Sequence, residues 1–230
     1  MFQALWYDIM VRFGRWEDIL QEAPVTNKGI LVTCSAMQHY ARGVALATTG
    51  DVIGAQEEAE ALAVACQEPE LKSRSRHIVS AARSMKVAQA VLLGEILYRK
   101  GTEHHREAFE QLQEAVQLDD DLPYDEPWGW MMPARHPLGA LMLEAGEVAS
   151  AAQVYRDDLA AGKHPLNIWS LTGLKQCLEA LRDSRALSVE EVQELAVVAK
   201  QIDELRRDGI TEVSASCACA TSRWPVLKDP

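Results

Sequence analysis

Three times along the chain a glycine lies seven residues ahead of a second glycine: Gly43 and Gly50, Gly94 and Gly101, Gly139 and Gly146. An alanine follows each second glycine, at Ala55, Ala108 and Ala151. Around each pair the apolar residues recur every three to four positions. "HYARGVALATTGDVIGAQEEAEALAVACQ" reads this way, as do "AVLLGEILYRKG" running into "REAFEQLQEAVQL" and "HPLGALMLEAGE" running into "ASAAQVYRDDLA". Such a pattern specifies a helix, a turn on glycine and a second helix. The turn glycine reaches left-handed backbone without a Cβ penalty, and the other small residues let antiparallel helices approach closely. β-branched residues are sparse, and no stretch alternates with period two between turn signals. The chain is expected to be all-α, with seven to nine helices and no sheet.

The recurrence resembles the tetratricopeptide repeat, a helix-turn-helix unit built on an aromatic, Leu-Gly, Tyr, Gly, Ala and Pro framework. The resemblance runs over about residues 36 to 181, with Trp169 and Gly173 opening a fourth unit at the same offset. "FGRWEDIL" looks like the turn, at Gly14, and second helix of an earlier unit. Gly14, Gly50, Gly101 and Gly146 are 36, 51 and 45 residues apart, so linkers interrupt the array. Gly101 to Ala108 also exceeds Gly50 to Ala55 by two residues, around Glu103-His104-His105. Expected units lie near 1–23, 36–68, 72–118, 132–163 and 166–207, forming one domain over 1–209, a short right-handed solenoid, followed by a tail at 210–230. "FGRWEDIL", "HYARGVALA" and "YDEPWGWMMPARHPLGALMLEAG" resemble the C-terminal part of larger repeat proteins of unassigned function. That implies a fragment or shortened relative whose first end exposes Phe2, Leu5, Trp6 and Met10. In such repeats the first helices line a concave groove. The resemblance places Met37, Tyr40, Val44, Glu95, Tyr98, His136, Asn167 and Ser170 there. No lysine occupies these positions, which disfavours clamping of a C-terminal carboxylate.

Composition narrows the partners. With 230 residues, 48% hydrophobic and 25% charged, the chain can bury a sizeable core and is not of the disordered class. A net charge of -11 argues against nucleic acid, whose phosphates need clustered Lys and Arg. No apolar run approaches a membrane span, and the start "MFQALW" lacks the basic region of a signal peptide. Five irregularly spaced cysteines suit a reducing compartment, the cytoplasm, rather than a disulfide framework.

Candidate chemistry is thin. His104 and His105 are adjacent on a helical pattern and point apart, so a solvated loop is expected. Cys217-Ala218-Cys219 offers two thiolates to a soft metal but lacks a second pair, and free thiols in a tail are expected. The tail "TEVSASCACATSRWPVLKDP" loses the helical period, with Trp224 as the residue able to dock it. No nucleophile elbow, metalloprotease helix or phosphate loop is present, so catalysis has no anchor and no cofactor is expected. Residues 72–100 hold seven Lys or Arg against Glu95, and 103–126 hold nine acids against Arg106. Folded as a hairpin, these put Arg83 and Lys86 level with Asp119, Asp120 and Asp121.

The joint "YDEPWGWMMPARHP" gathers aromatic and sulfur surface between two units. Trp128 or Trp130 either wedges into the seam between helices or stands open as a groove wall, with Asp125 or Glu126 pairing Arg135 in both cases. The functional expectation is a non-enzymatic scaffold for a protein or peptide, or for a second copy through the repeat ends. Its contact residues would be Tyr40, Tyr98, Glu126, Trp130, Arg135, His136, Asn167 and Trp169. The alternative is a small-molecule or metal-dependent activity at the joint.

Overall fold

In the computed structural model the expected turn glycines all take positive φ: 64° at Gly14, 98° at Gly50, 141° at Gly101 and 87° at Gly146. Residues 2–26, 30–76, 78–126, 128–160, 163–209 and 213–220 are described. Among them are eleven α-helices rather than seven to nine: α1 (Phe2–Arg12), α2 (Trp16–Gln21), α3 (Val32–Thr49), α4 (Val52–Ala65), α5 (Pro69–Ser73), α6 (Ala81–Lys100), α7 (His105–Asp120), α8 (Arg135–Glu144), α9 (Val148–Leu159), α10 (Ile168–Ser184) and α11 (Val189–Arg207). Helices adjacent in sequence pack as antiparallel pairs. None is long and apolar enough to cross a membrane, among the described residues. Where one repeat domain over 1–209 is expected, the chain divides into two compact units, Met1–Ala134 and Arg135–Pro230.

In the first unit α1 packs with α2, α3 with α4 and α6 with α7. α3 ends as its apolar pattern predicts. The N–H of Gly50 reaches the Ala47 carbonyl (3.2 Å), and that of Asp51 reaches Leu46 (2.9 Å). Asp51 then caps α4 through its carboxylate, which accepts from the Gly54 N–H at 2.9 Å. The surplus residues after Gly101 form a 3-10 turn, Thr102–His104. His105 opens α7 and stacks on Tyr98, ring centroids 4.3 Å apart, instead of standing in a solvated loop.

The linker before α6 departs from expectation. Pro69 starts the single turn of α5, and a two-residue antiparallel ladder follows, β1 (Ser75–Arg76) with β2 (Val79–Ser80). α6 therefore begins at Ala81, not near 72, and the expectation of no sheet is corrected by this one short ladder. Here proline suits a first turn, and the chain must reverse before Ser80 can cap α6. The basic and acidic stretches do pair as a hairpin. Arg83, however, donates to the backbone carbonyl of Asp121, while the Asp119 carboxylate accepts from the Ala134 N–H at 3.0 Å.

Glycine sets the spacing between helices. A Cβ on Gly94 would lie 2.5 Å from Leu112 Cγ of its partner α7, and one on Gly43 would lie 2.7 Å from Leu92 Cδ2. Gly43 thus serves the contact of α3 with α6 rather than its pairing with α4. Ala55, Ala108 and Ala151 are all fully buried, as the pattern predicts.

In the second unit α8 packs with α9, α9 with α10 and α10 with α11. α8 starts at Arg135, and Pro137 occupies its first turn. Tyr155 of α9 lies in a slot between two bare backbones. A Cβ on Gly139 of α8 would meet its ring at 2.5 Å, and one on Gly173 of α10 would meet it closer still. Ser188 and Glu191 form a capping box that starts α11. Arg156 grips Glu194 with two hydrogen bonds, 2.8 and 2.7 Å, tying α9 to α11.

The expected tail is corrected over its described part. Residues 215–220 are buried, each at 3% exposure or less, because the loss of helical period here marks an extended packed segment and not a solvated one. Trp224 and residues 221–230 lie outside the described residues, as does Pro127 of the joint.

Candidate functional site

The joint resolves the question of its two tryptophans. Trp130 is buried at 4% exposure and meets Tyr40 edge-to-face, centroids 5.2 Å apart, while Trp128 stays 41% exposed. Backbone ties fix the loop. Ser84 donates to the Gly129 carbonyl (2.9 Å), and the buried Asp125 accepts from the N–H groups of Ile78 (3.3 Å) and Glu126 (3.0 Å). A Cβ on Gly129 would stand 2.6 Å from Val79, so only glycine lets the loop lie on β2. Beside Trp130 a half-open cleft of about 200 Å³ runs between α1, α3 and α6. Met37, Met85 and Met131 line it with Trp130, and Asp8 and Arg74 are its charged members. Burial holds the Tyr40 phenol far above its ordinary titration range, with Asp8 and Glu95 adding to the effect.

The second unit holds a buried polar network. Asp158 Oδ2 receives the Ser170 hydroxyl at 2.5 Å and faces His136 Nε2 at 3.3 Å; its Oδ1 faces His164 Nδ1 at 2.8 Å. Asp158, His136 and Ser170 are fully buried. Burial alone would raise the Asp158 pKa, but the hydrogen bonds from His136, His164 and Ser170 outweigh it and hold the carboxyl well below the usual range. An ionised carboxylate only accepts, so both imidazoles present N–H groups to it. α8, α9, α10 and the turn before α10 are thereby pinned at one point.

Next to that network lies the segment 213–220. Ser216 donates its hydroxyl to the His136 carbonyl at 3.2 Å and accepts from the Tyr155 hydroxyl at 2.5 Å. Gln176 of α10 donates to the Ser214 carbonyl at 2.5 Å. The segment thus bonds to α8, α9 and α10 together. Cys217 and Cys219 form a disulfide within it, while Cys34, Cys66 and Cys177 are in no disulfide, which corrects the expectation of unbonded thiols at this pair.

Most residues placed on a groove by the repeat resemblance are buried. Met37, Tyr40, Val44, Glu95, Tyr98, His136 and Ser170 are all in the interior, because neighbouring helices and loops pack onto that face. Asn167 is the N-cap of α10, accepting from the N–H groups of Trp169 (3.0 Å) and Ser170 (3.4 Å). Glu126 is exposed and accepts from the Tyr124 hydroxyl. Arg135, Trp169, Leu5, Trp6 and Met10 are half-buried. Tyr155, Asp158, His164 and Ser216 were not singled out by sequence. For Tyr155 a signal existed, since Gly139 and Gly173 hold corresponding places in successive units. No family model, curated protein or solved structure matches this chain.

Proposed function

We propose that the chain is a non-enzymatic helical scaffold of the tetratricopeptide kind, and that α8–α10 of its second unit form a seat for an extended peptide. The observation that carries the reading is the chain's own segment 213–220. It lies there without regular structure, buried, with hydrogen bonds to three helices. Helix pairs turning at positive-φ glycines, with small residues at the close contacts, support the repeat architecture. The resident peptide describes the partner it models: small side chains around a hydroxyl that both donates to a backbone carbonyl and accepts from a tyrosine.

The test unseats the resident. Ser216→Glu places a carboxylate where the His136 carbonyl requires a donor, so the segment should lift while the helices remain. A fluorescent peptide copying residues 213–220, with its two cysteines oxidised to the disulfide they form in the chain, should bind this full-length variant at about micromolar level and the wild type far more weakly. Absence of binding to either chain would refute the seat.

A second reading concerns the first unit, on the strength of the cleft beside Trp130. Its volume of about 200 Å³ is below the roughly 300 Å³ at which small-molecule sites begin. It suits one bulky apolar side chain or a single small ring. Labelled methyls of Met37, Met85 and Met131 should shift saturably with indole, and Ala4→Trp should abolish the shift by filling the cleft. Methyls that stay unmoved at millimolar indole would dismiss this site.

A further inference from the structure

We infer that Cys217 and Cys219 form a redox site that controls whether residues 213–220 stay seated on the second unit. The inference rests on the seat proposed above and adds its regulation. The pair is joined as a disulfide although its members are 3% and 1% exposed, and the Cys219 N–H donates to Cys217 Sγ at 3.2 Å. Ser216, whose hydroxyl bridges Tyr155 and His136, is the residue immediately before.

Charge and volume both favour the oxidised form in this position. A disulfide is neutral and carries no donor that must be satisfied. A reduced pair buried here would bring two thiol hydrogens into an interior shielded from water. Bonded sulfurs lie about 2.05 Å apart, whereas heavy atoms in non-bonded contact stand at roughly 3.5–4 Å. Ala215, Ala218 and Ala220 are each 1% exposed, so the pair would have to separate within a buried surround. Reduction therefore disfavours the buried position, and lifting the segment gives the two thiols water and space.

The chemistry is thiol–disulfide exchange with a small disulfide such as oxidised glutathione. On the lifted segment one cysteine thiolate attacks that disulfide and expels one glutathione thiolate. The second cysteine then attacks the protein sulfur of the mixed disulfide, closes the Cys217–Cys219 bond and releases the second glutathione. Two electrons and two protons leave the cysteine pair and appear on two glutathione thiols. A dithiol reverses both steps. The seated sulfurs are shielded from in-line attack, so exchange passes through the lifted state. Seating and oxidation consequently favour each other, and a competing peptide accelerates reduction by the same coupling.

The experiment compares the full-length chain under oxidised glutathione, under a dithiol, and as the Cys217→Ser/Cys219→Ser variant. Intact mass after alkylation reads the bond, and amide hydrogen exchange reads seating at 213–220 against α11. The expected result is a closed bond under oxidised glutathione, with exchange at 213–220 about tenfold faster on reduction and α11 unchanged. The double variant should match the reduced chain and ignore the dithiol. Thiols that stay alkylatable under oxidised glutathione, exchange that is identical in both states, or a soft metal retained on the cysteines would each overturn the inference. The two proposals fail separately. If peptide binds Ser216→Glu while reduction leaves exchange unchanged, redox control falls and the seat stands. If reduction loosens the segment but no peptide binds, the peptide seat falls and redox control of the segment's own packing stands.

Discussion

Tyr155 concentrates the residue-scale physics of the second unit. Its ring fills the space that two absent Cβ atoms leave on Gly139 and Gly173, and its hydroxyl reaches Ser216 at 2.5 Å. Adding one methyl to either glycine pushes a carbon into an aromatic ring that has no room to turn away. Gly139→Ala and Gly173→Ala should each lower stability by about 1–3 kcal/mol in urea unfolding. Tyr155→Phe keeps the ring but leaves Ser216 without its donor. It should cost about 1 kcal/mol and speed exchange at 213–220; equal exchange rates would show that the hydroxyl does not hold the segment. Gly50 differs in kind. A Cβ there would meet nothing within 4 Å, yet φ is 98°, so its substitution acts through backbone strain alone. The spacing of glycines was legible in the sequence, but not the distinction between a turn glycine and a packing glycine. Both leave the same letter in the chain.

At the scale of elements, caps and joints decide where helices stop and what they carry. Asn167, expected among contact residues, spends its side chain on the first N–H groups of α10. Asn167→Ala should destabilise the chain by about 1 kcal/mol, a loss that circular dichroism melting would detect without any partner present. The joint at 124–134 divides its tryptophans between two tasks. Trp130 packs on Tyr40, so Trp130→Ala should cost about 3–5 kcal/mol, whereas Trp128→Ala, at a half-exposed site, should cost far less. If the two variants melt together, the seam is not where the buried ring places it. The proline and aromatic content of the joint announced an unusual linker. Which ring turns inward depends on Val79 and Gly129 meeting closely across the loop, a contact between residues 50 positions apart that no local pattern encodes.

For the molecule as a whole, stability against acid should depend on carboxylates held below their ordinary range, with the buried Asp158 foremost and Glu58, bonded to His39 and Arg42, beside it. Hydrogen bonds in the folded state hold the Asp158 pKa below the ordinary aspartate range, so folding favours the ionised form. Its contribution is fully present above the ordinary carboxylate range and is lost as pH falls through that range toward the lower folded value. Wild-type stability should therefore begin to drop below about pH 5 and keep falling as the pH is lowered further, and Asp158→Asn should flatten that slope. At neutral pH the variant should be less stable by about 3 kcal/mol, because the network loses its charged acceptor. An unchanged acid slope in Asp158→Asn would assign the acid response to other groups. The His136 side chain, expected among the contact residues, instead faces Asp158 in the interior. The sequence by itself determined the all-α class, the helix pairs and their glycine turns, because a 3.6-residue period and left-handed backbone are local properties. Only the tertiary structure decided that a stretch without period is buried and that Ser216 meets Tyr155, 61 residues away, and His136, 80 residues away. An extended segment takes its hydrogen bonds from whatever it lies against, so its place is written in the surface that receives it and not in its own order of residues.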